Sequence, residues 1–266
     1  MATPFDGLTL FVFQDFWGGT SLTPADAEAY VKAGVTRFAI KCSDGVTGAT
    51  DYVSQTQIVG GAGGEFIPWA YIEPNLDLSP QLETAWKASG EPPSGSPLIL
   101  DIEAMISVPA LRTAIEQHSP IINVVTWGDP SAHPNAPSIG ELCDIHINSI
   151  APETYYSAWQ VTPQVALQRM FASYKSLGIP ASLQVPLIPA IDGPEILTSA
   201  QVAKSMGFNG LMVFRHGANG IIPSSFDGAA AVFKPTPVVV PPPTPSYTTL
   251  SSGTYLVPAG AKIIID

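Results

Sequence analysis

Short apolar runs alternate with amphipathic stretches from residue 8 to residue 233. The runs are Leu8–Phe13 (LTLFVF), Arg37–Lys41 (RFAIK), Phe66–Ile72 (FIPWAYI), Pro97–Ile102 (PLILDI), Ile121–Thr126 (IINVVT), Asp144–Ile150, Ser182–Ile188 and Gly210–Phe214 (GLMVF). Between and after them, helical patterns cover Thr23–Ala33, Asp51–Val59, Ser79–Ser89, Val108–His118, a short piece at Ile139–Leu142, Pro163–Leu177, Ile196–Met206 and Phe226–Phe233. Pro24 and a Ser-Pro pair mark two of the helix starts. The strand runs do not alternate polar with apolar, as expected of parallel strands covered on both faces. Strand–helix units in this number point to a closed (β/α)₈ TIM-type barrel over residues 1–233. A doubly wound sheet with another strand order is the competing α/β arrangement. No unit recurs in sequence, which excludes a solenoid.

Beyond Phe233 the pattern stops. Lys234–Pro245 reads KPTPVVVPPPTP, a composition that favours extended polyproline II and a semi-rigid spacer. Residues 246–266 alternate weakly and are too few to fold alone. They form either a disordered end or an extended tail that docks on a partner or on another copy of the chain.

Hydrophobic residues make up 45% of the 266 residues, enough for a large core, yet no apolar run reaches the roughly 20 residues that span a bilayer. Only 12% are charged, and the net charge is −11. The bases are scattered. Nucleic acid and anionic membranes both need a basic footprint, so neither is an expected partner. The N-terminus lacks a basic n-region and Leu8–Phe13 is too short for a signal h-region, so export without a classical signal peptide, to an extracellular or virion-associated location, is the expectation. The two cysteines, Cys42 and Cys143, are too few for a disulfide framework. They are expected on the second and sixth strands, as buried free thiols.

In such a barrel the working groups lie at the C-terminal ends of the strands. Those positions carry Asp15, Asp44, Glu73, Asp101, Glu103, Asp129, Glu153 and Asp192 out of 22 acids, together with Trp17, Trp69, Tyr71, Trp127, Tyr155, Tyr156 and Trp159. Lys41, Arg215 and His216 are there too. Carboxyl groups among aromatic rings suit sugar chemistry, in which one acid protonates the leaving oxygen and a second carboxylate serves as base or nucleophile. Asp101 and Glu103 are two apart on a strand and so face the same side, where their proximity pushes one pKa upward and makes an acid at neutral pH. An ordinary acidic helix start is the plainer explanation. The histidines show no metal-ligand spacing, there is no phosphate-binding loop, and Gly60–Gly64 reads as a flexible loop. No cofactor or metal is implied.

Three stretches, FWGG at Phe16–Gly19, AGVTRFAIKCSDG at Ala33–Gly45 and PLILDIEA at Pro97–Ala104, resemble the family 25 glycoside hydrolases. These are the lysozyme-type muramidases frequent in phages, with their barrel-shaped relatives. The resemblance implies a glycosidase of bacterial cell-wall or surface polysaccharide, with Glu103 as the acid. Asp101 would then tune the site, helped by Asp15, Asp44 or Asp192. Trp17, Lys41, Asp44, Trp69, Tyr71, Glu73, Trp127, Glu153, Tyr155, Tyr156 and Arg215 would bind substrate. The chain departs from the family at Phe13, where the family has an aspartate, and at Val213-Phe214-Arg215, where it has Trp-Gln-Tyr. Those departures keep a second reading open: a catalytically inactive phage virion or adhesion protein, anchored to other virion proteins through residues 246–266.

Overall fold

The computed structural model describes residues 5–13, 20–118, 120–133, 138–143, 147–189, 193–216 and 222–233. Asp15, Trp17, Asp192 and the segment 234–266 lie outside them. The chain divides into the unit Met1–Lys234 and the unit Pro235–Asp266; only the first contains described residues.

Eight parallel strands build the barrel, with Thr47–Gly48 paired antiparallel on the end of the second: β1 Gly7–Val12, β2 Arg37–Asp44, β3 Glu65–Tyr71, β4 Pro97–Asp101, β5 Ile121–Trp127, β6 Ser149–Glu153, β7 Leu187–Pro189 and β8 Gly210–Phe214. Each bonds to the next, and β1 bonds both β2 and β8, for example through Leu10↔Phe38 and Leu8↔Leu211. The sheet therefore closes on itself as a TIM-type (β/α)₈ barrel. Helices α1 Pro24–Lys32, α2 Tyr52–Gly61, α3 Leu78–Ala88, α4 Val108–His118, α5 Ile139–Cys143, α6 Pro163–Ser176, α7 Gly193–Ser205 and α8 Ala229–Phe233 follow the strands in turn. Local chemistry fixes several of their starts. Thr23 accepts from the Asp26 amide while the Asp26 side chain reaches back to the Thr23 amide, and Thr162 caps α6 just before Pro163.

Strand alternation sorts the apolar residues into two cores. Leu10, Ile40, Ala70, Leu100, Val124 and Val213 point outward and pack with helix residues such as Tyr30, Leu111 and Met170. Phe11, Ala39, Ile67, Trp69, Ile99, Val125, Ala151, Leu187 and Met212 point inward and fill the barrel. The small Ala39 and Ala151 leave room for Trp69, which is 1% exposed and meets the Phe11 ring edge-on at 4.9 Å. Burying each large apolar side chain contributes about 1.5–3 kcal/mol.

One irregularity matters for what sits above that floor. The β2–β3 register slips between Lys41 and Ser43, a β-bulge. On a regular strand, residues three apart face opposite sides. The bulge absorbs one residue, so Ser43 pairs with the outward Ala70 and Asp44 with the inward Tyr71. Lys41 and Asp44 thus share the lumen side.

Four expectations are corrected. The sixth strand is Ser149–Glu153 rather than Asp144–Ile150: Pro152, which reads as a strand breaker, lies inside it, with one fewer donor and a correspondingly short ladder to β7. The seventh is Leu187–Pro189 rather than Ser182–Ile188, because Ala181–Leu183 coils into a single 3₁₀ turn after Pro180. Cys143 ends α5 and is on no strand, whereas Cys42 is on β2, buried and free. Gly60 and Gly61 are not loop but complete α2, and the chain turns at Gly63, at φ +81°.

Gly128 follows β5 where it passes the end of β6. A Cβ there would lie 2.0 Å from the Glu153 carbonyl oxygen. Gly128→Ala is therefore expected to lower stability by about 1–3 kcal/mol, read as a fall in the urea midpoint. Gly140→Ala, with nothing within 4 Å of its Cβ, should not lower it.

Candidate active site

Above the aromatic floor the barrel opens into a pocket of about 240 Å³ lined by Phe11, Phe13, Lys41, Tyr71, Asp101, Glu103, Glu153, Tyr155, Leu187 and Phe214. Asp101 ends β4, and the amide of Ile102 still donates to Val125 O at 2.9 Å. The ladder thus extends far enough to keep Glu103 on the same side as Asp101. Glu153 ends β6 two strands away. One carboxylate oxygen from each of Asp101, Glu103 and Glu153 lies within 4.8 Å of the others.

Burial and mutual repulsion set the protonation of this cluster. Asp101 and Glu153 are 7% and 4% exposed. Desolvation first, then the neighbouring carboxylates, hold both well above the ordinary carboxyl range. Glu103 is half-buried and also raised by desolvation, but contact with Glu153 and the Lys41 charge pull it back. Glu103 and Glu153 therefore meet across a hydrogen bond that needs a proton on one of them. Tyr155 Oη donates to Glu153 Oε1 at 2.8 Å, which leaves Oε2 facing its neighbours.

The opposite wall carries the cations. Lys41 Nζ is 2.8 Å from Asp44 Oδ2 and lies over the rings of Phe13 at 4.3 Å, Trp69 at 5.1 Å and Tyr71 at 5.6 Å. Burial lowers its pKa, and the Asp44 bond opposes that. The Arg215 guanidinium lies 4.7 Å from the Phe13 ring centre.

Of the residues expected at the site, the pocket brings together Asp101, Glu103, Glu153, Lys41, Tyr71 and Tyr155, with Asp44 behind Lys41 and Arg215 behind Phe13. Three aromatic residues expected to bind substrate do other work. Trp69 is buried in the floor. Tyr156 is 2% exposed and donates to Glu195 Oε2 at 2.9 Å, in the layer between barrel and helices. Trp127 stacks on His133 at 4.0 Å, and its indole N–H donates to the Glu103 carbonyl, so it supports the chain at Glu103. Glu73 is outside the lining, with its main chain tied to Gln81 and its side chain against Gly45. The sequence reading missed Phe11, Leu187 and Phe214 as lining residues and took Phe13 only as a departure from the family. Counting inward positions back from the strand ends would have found them.

Three carboxylate oxygens at this spacing are a donor set for a hard divalent cation. The Lys41 ammonium competes for the same oxygens, since its field already acts on Asp101 and Glu103.

No protein-family model and no curated protein matches the chain. Its fold is shared with solved structures. The spore cortex-lytic enzyme SleL of Bacillus cereus superposes with a TM-score of 0.61 at 10% identity, over 86% of this chain and 74% of that one. An endo-β-N-acetylglucosaminidase from Cordyceps militaris gives 0.51 at 10% identity, over 88% and 92%. A broad-specificity GH5-4 endoglucanase from Bacteroides salanitronis gives 0.51 at 10%, over 85% and 92%. The chain is thus a TIM-type barrel of the kind these glycoside hydrolases use.

A buried carboxyl whose folded pKa is raised stabilises the fold only while protonated. That contribution is complete below its unfolded pKa and is lost as pH rises through the folded one. Asp101→Asn should match the wild type in Tm at about pH 4 and exceed it at about pH 8, by about 2–4 °C for each kcal/mol of repulsion removed. A Tm gain of equal size at both pH values would show that Asp101 is not held protonated.

Proposed function

We propose that this barrel is a glycoside hydrolase acting on a polysaccharide, with Glu103 as the proton donor. The observation that carries the reading is the convergence of Glu103 with Asp101 and Glu153 in an aromatic-lined pocket at the C-terminal mouth of the barrel. Glu103 is the most accessible of the three. As a glycosidic oxygen approaches, the proton shared with Glu153 passes through Glu103 to that oxygen and leaves Glu153 ionised. Glu153, beside the protonated Asp101, then faces the positive charge that develops on the sugar ring.

The spacing bears on stereochemistry. Inverting enzymes hold their two carboxyls about 6.5–9.5 Å apart to admit a water, and retaining ones about 5–5.5 Å. The nearest oxygens of the three lie within 4.8 Å of one another, closer to the retaining spacing, and in that course Glu153 would be the nucleophile. A bacterial cell-wall or surface glycan is the substrate we favour. The muramidase-like stretches and the fold shared with a cortex-lytic enzyme support that choice.

The test is release of reducing ends from purified peptidoglycan and mixed bacterial polysaccharides. Glu103→Gln should lower the rate by about 10²–10⁴-fold with an unchanged circular-dichroism spectrum. If the folded wild type releases nothing from any glycan, the chain is a non-catalytic binding or virion protein that has kept the barrel.

A further inference from the structure

We propose that the sugar seated against this cluster carries a free amino group, so that the preferred glycan is built of N-unsubstituted amino sugars. The proposal rests on the glycan reading above and names its substrate class.

The first argument is the inventory of donors and acceptors. Ionised carboxylates only accept hydrogen bonds, and an ammonium only donates. Three of the polar side chains lining the pocket are carboxylates. The Lys41 ammonium is engaged by Asp44 at 2.8 Å and the Tyr155 hydroxyl by Glu153 at 2.8 Å, which leaves Tyr71 as the remaining hydroxyl of the lining. Once its carboxyls are ionised, the lining offers more acceptor than donor atoms. Asp101 Oδ1 and Glu153 Oε2 are buried without a well-formed hydrogen bond among the described residues, with only the Trp69 indole near Asp101 and Glu103 beside Glu153. Both residues are more than nine-tenths buried, which keeps their protons on, and a charged donor entering beside them favours their ionised, accepting form.

The second argument is that the barrel already accommodates an ammonium here. Lys41 Nζ lies over three aromatic faces beside a carboxylate. The carboxylate wall is flanked by a comparable set, with Phe214 6.1 Å from Phe11 and 6.4 Å from Tyr155 between ring centres. An ammonium entering between these rings and the carboxylates gains charge-assisted hydrogen bonds and cation–π contact together. An acetamido group offers one uncharged N–H and brings a carbonyl acceptor and a methyl group with it. A hydroxyl would donate, but without charge.

Proton linkage supplies a signature that bulk attraction lacks. The cluster holds protons because its charges are buried together, and a bound cation favours the ionised forms. Binding of an amino sugar should therefore release protons to the buffer, whereas binding of its N-acetylated counterpart should not.

The experiment is calorimetric titration of the full chain with glucosamine hexamer and with N-acetylglucosamine hexamer. It is run in two mildly acidic buffers of different ionisation enthalpy. A parallel titration uses a Glu103→Gln background, so that bound sugar is not turned over while Asp101 and Glu153 remain. We expect glucosamine hexamer to bind about tenfold tighter with proton release. Adding Glu153→Gln should shrink that preference to about threefold or less. Equal or tighter binding of the N-acetylated hexamer overturns the proposal and leaves the glycosidase reading standing. A preference that survives Glu153→Gln also overturns it, because the net charge of −11 would then be attracting the polycation. Amine-selective binding without hydrolysis of any glycan would uphold the proposal and remove the catalytic reading. If neither hexamer binds and no glycan is cleaved, both fail.

Discussion

Closure of the barrel around a solid floor is the constraint on which the rest depends. Eight strands leave a lumen that side chains must fill, and here the Trp69, Phe11, Ile99 and Met212 layer fills it. No charge can sit at that depth. Lys41, Asp101 and Glu153, lumen-facing from β2, β4 and β6, are therefore held in the single layer above, between an apolar base and the solvent. Their unusual protonation follows from this stacking more than from any one pair. Desolvation from below leads the causes for Asp101, Glu103 and Glu153 alike, ahead of their mutual repulsion.

Much of the barrel is written in local sequence. The apolar runs that become β1, β3, β4, β5 and β8 are long enough and sharply enough bounded to be located to within a residue or two. The starts of α1 and α6 are marked by Thr–Pro capping chemistry. Where the bounds of the sixth and seventh strands were misjudged, a proline lies close by. Pro152 looks like a boundary and lies inside a strand, and the stretch after Pro180 looks like a strand and coils first.

The site was legible only in part. Asp101 and Glu103 could be paired from strand periodicity, because one segment carries both. That Glu153 meets them depends on the register of β4 on β5 and β5 on β6, which no single segment encodes. Trp69, Trp127 and Tyr156 have the composition of sugar-binding rings, but their roles depend on depth and partner. One lies below the pocket floor, one is stacked and hydrogen-bonded, and one is turned towards the helices. Nothing in RFAIKCSD announces the bulge that puts Asp44 beside Lys41.

The end of β5 stands between the two strands that carry the carboxylates, and it touches both. The Trp127 indole holds the Glu103 carbonyl, the Gly128 Cα lies against the Glu153 carbonyl, and Tyr174 Oη grips Trp127 O at 2.6 Å from α6. This strand end works as a spacer gauge. The gap between Glu103 and Glu153 is set by the thickness of a tryptophan–glycine step that contributes no group to the pocket lining. Editing this gauge would change the distance between Glu103 and Glu153 while leaving every acid in place.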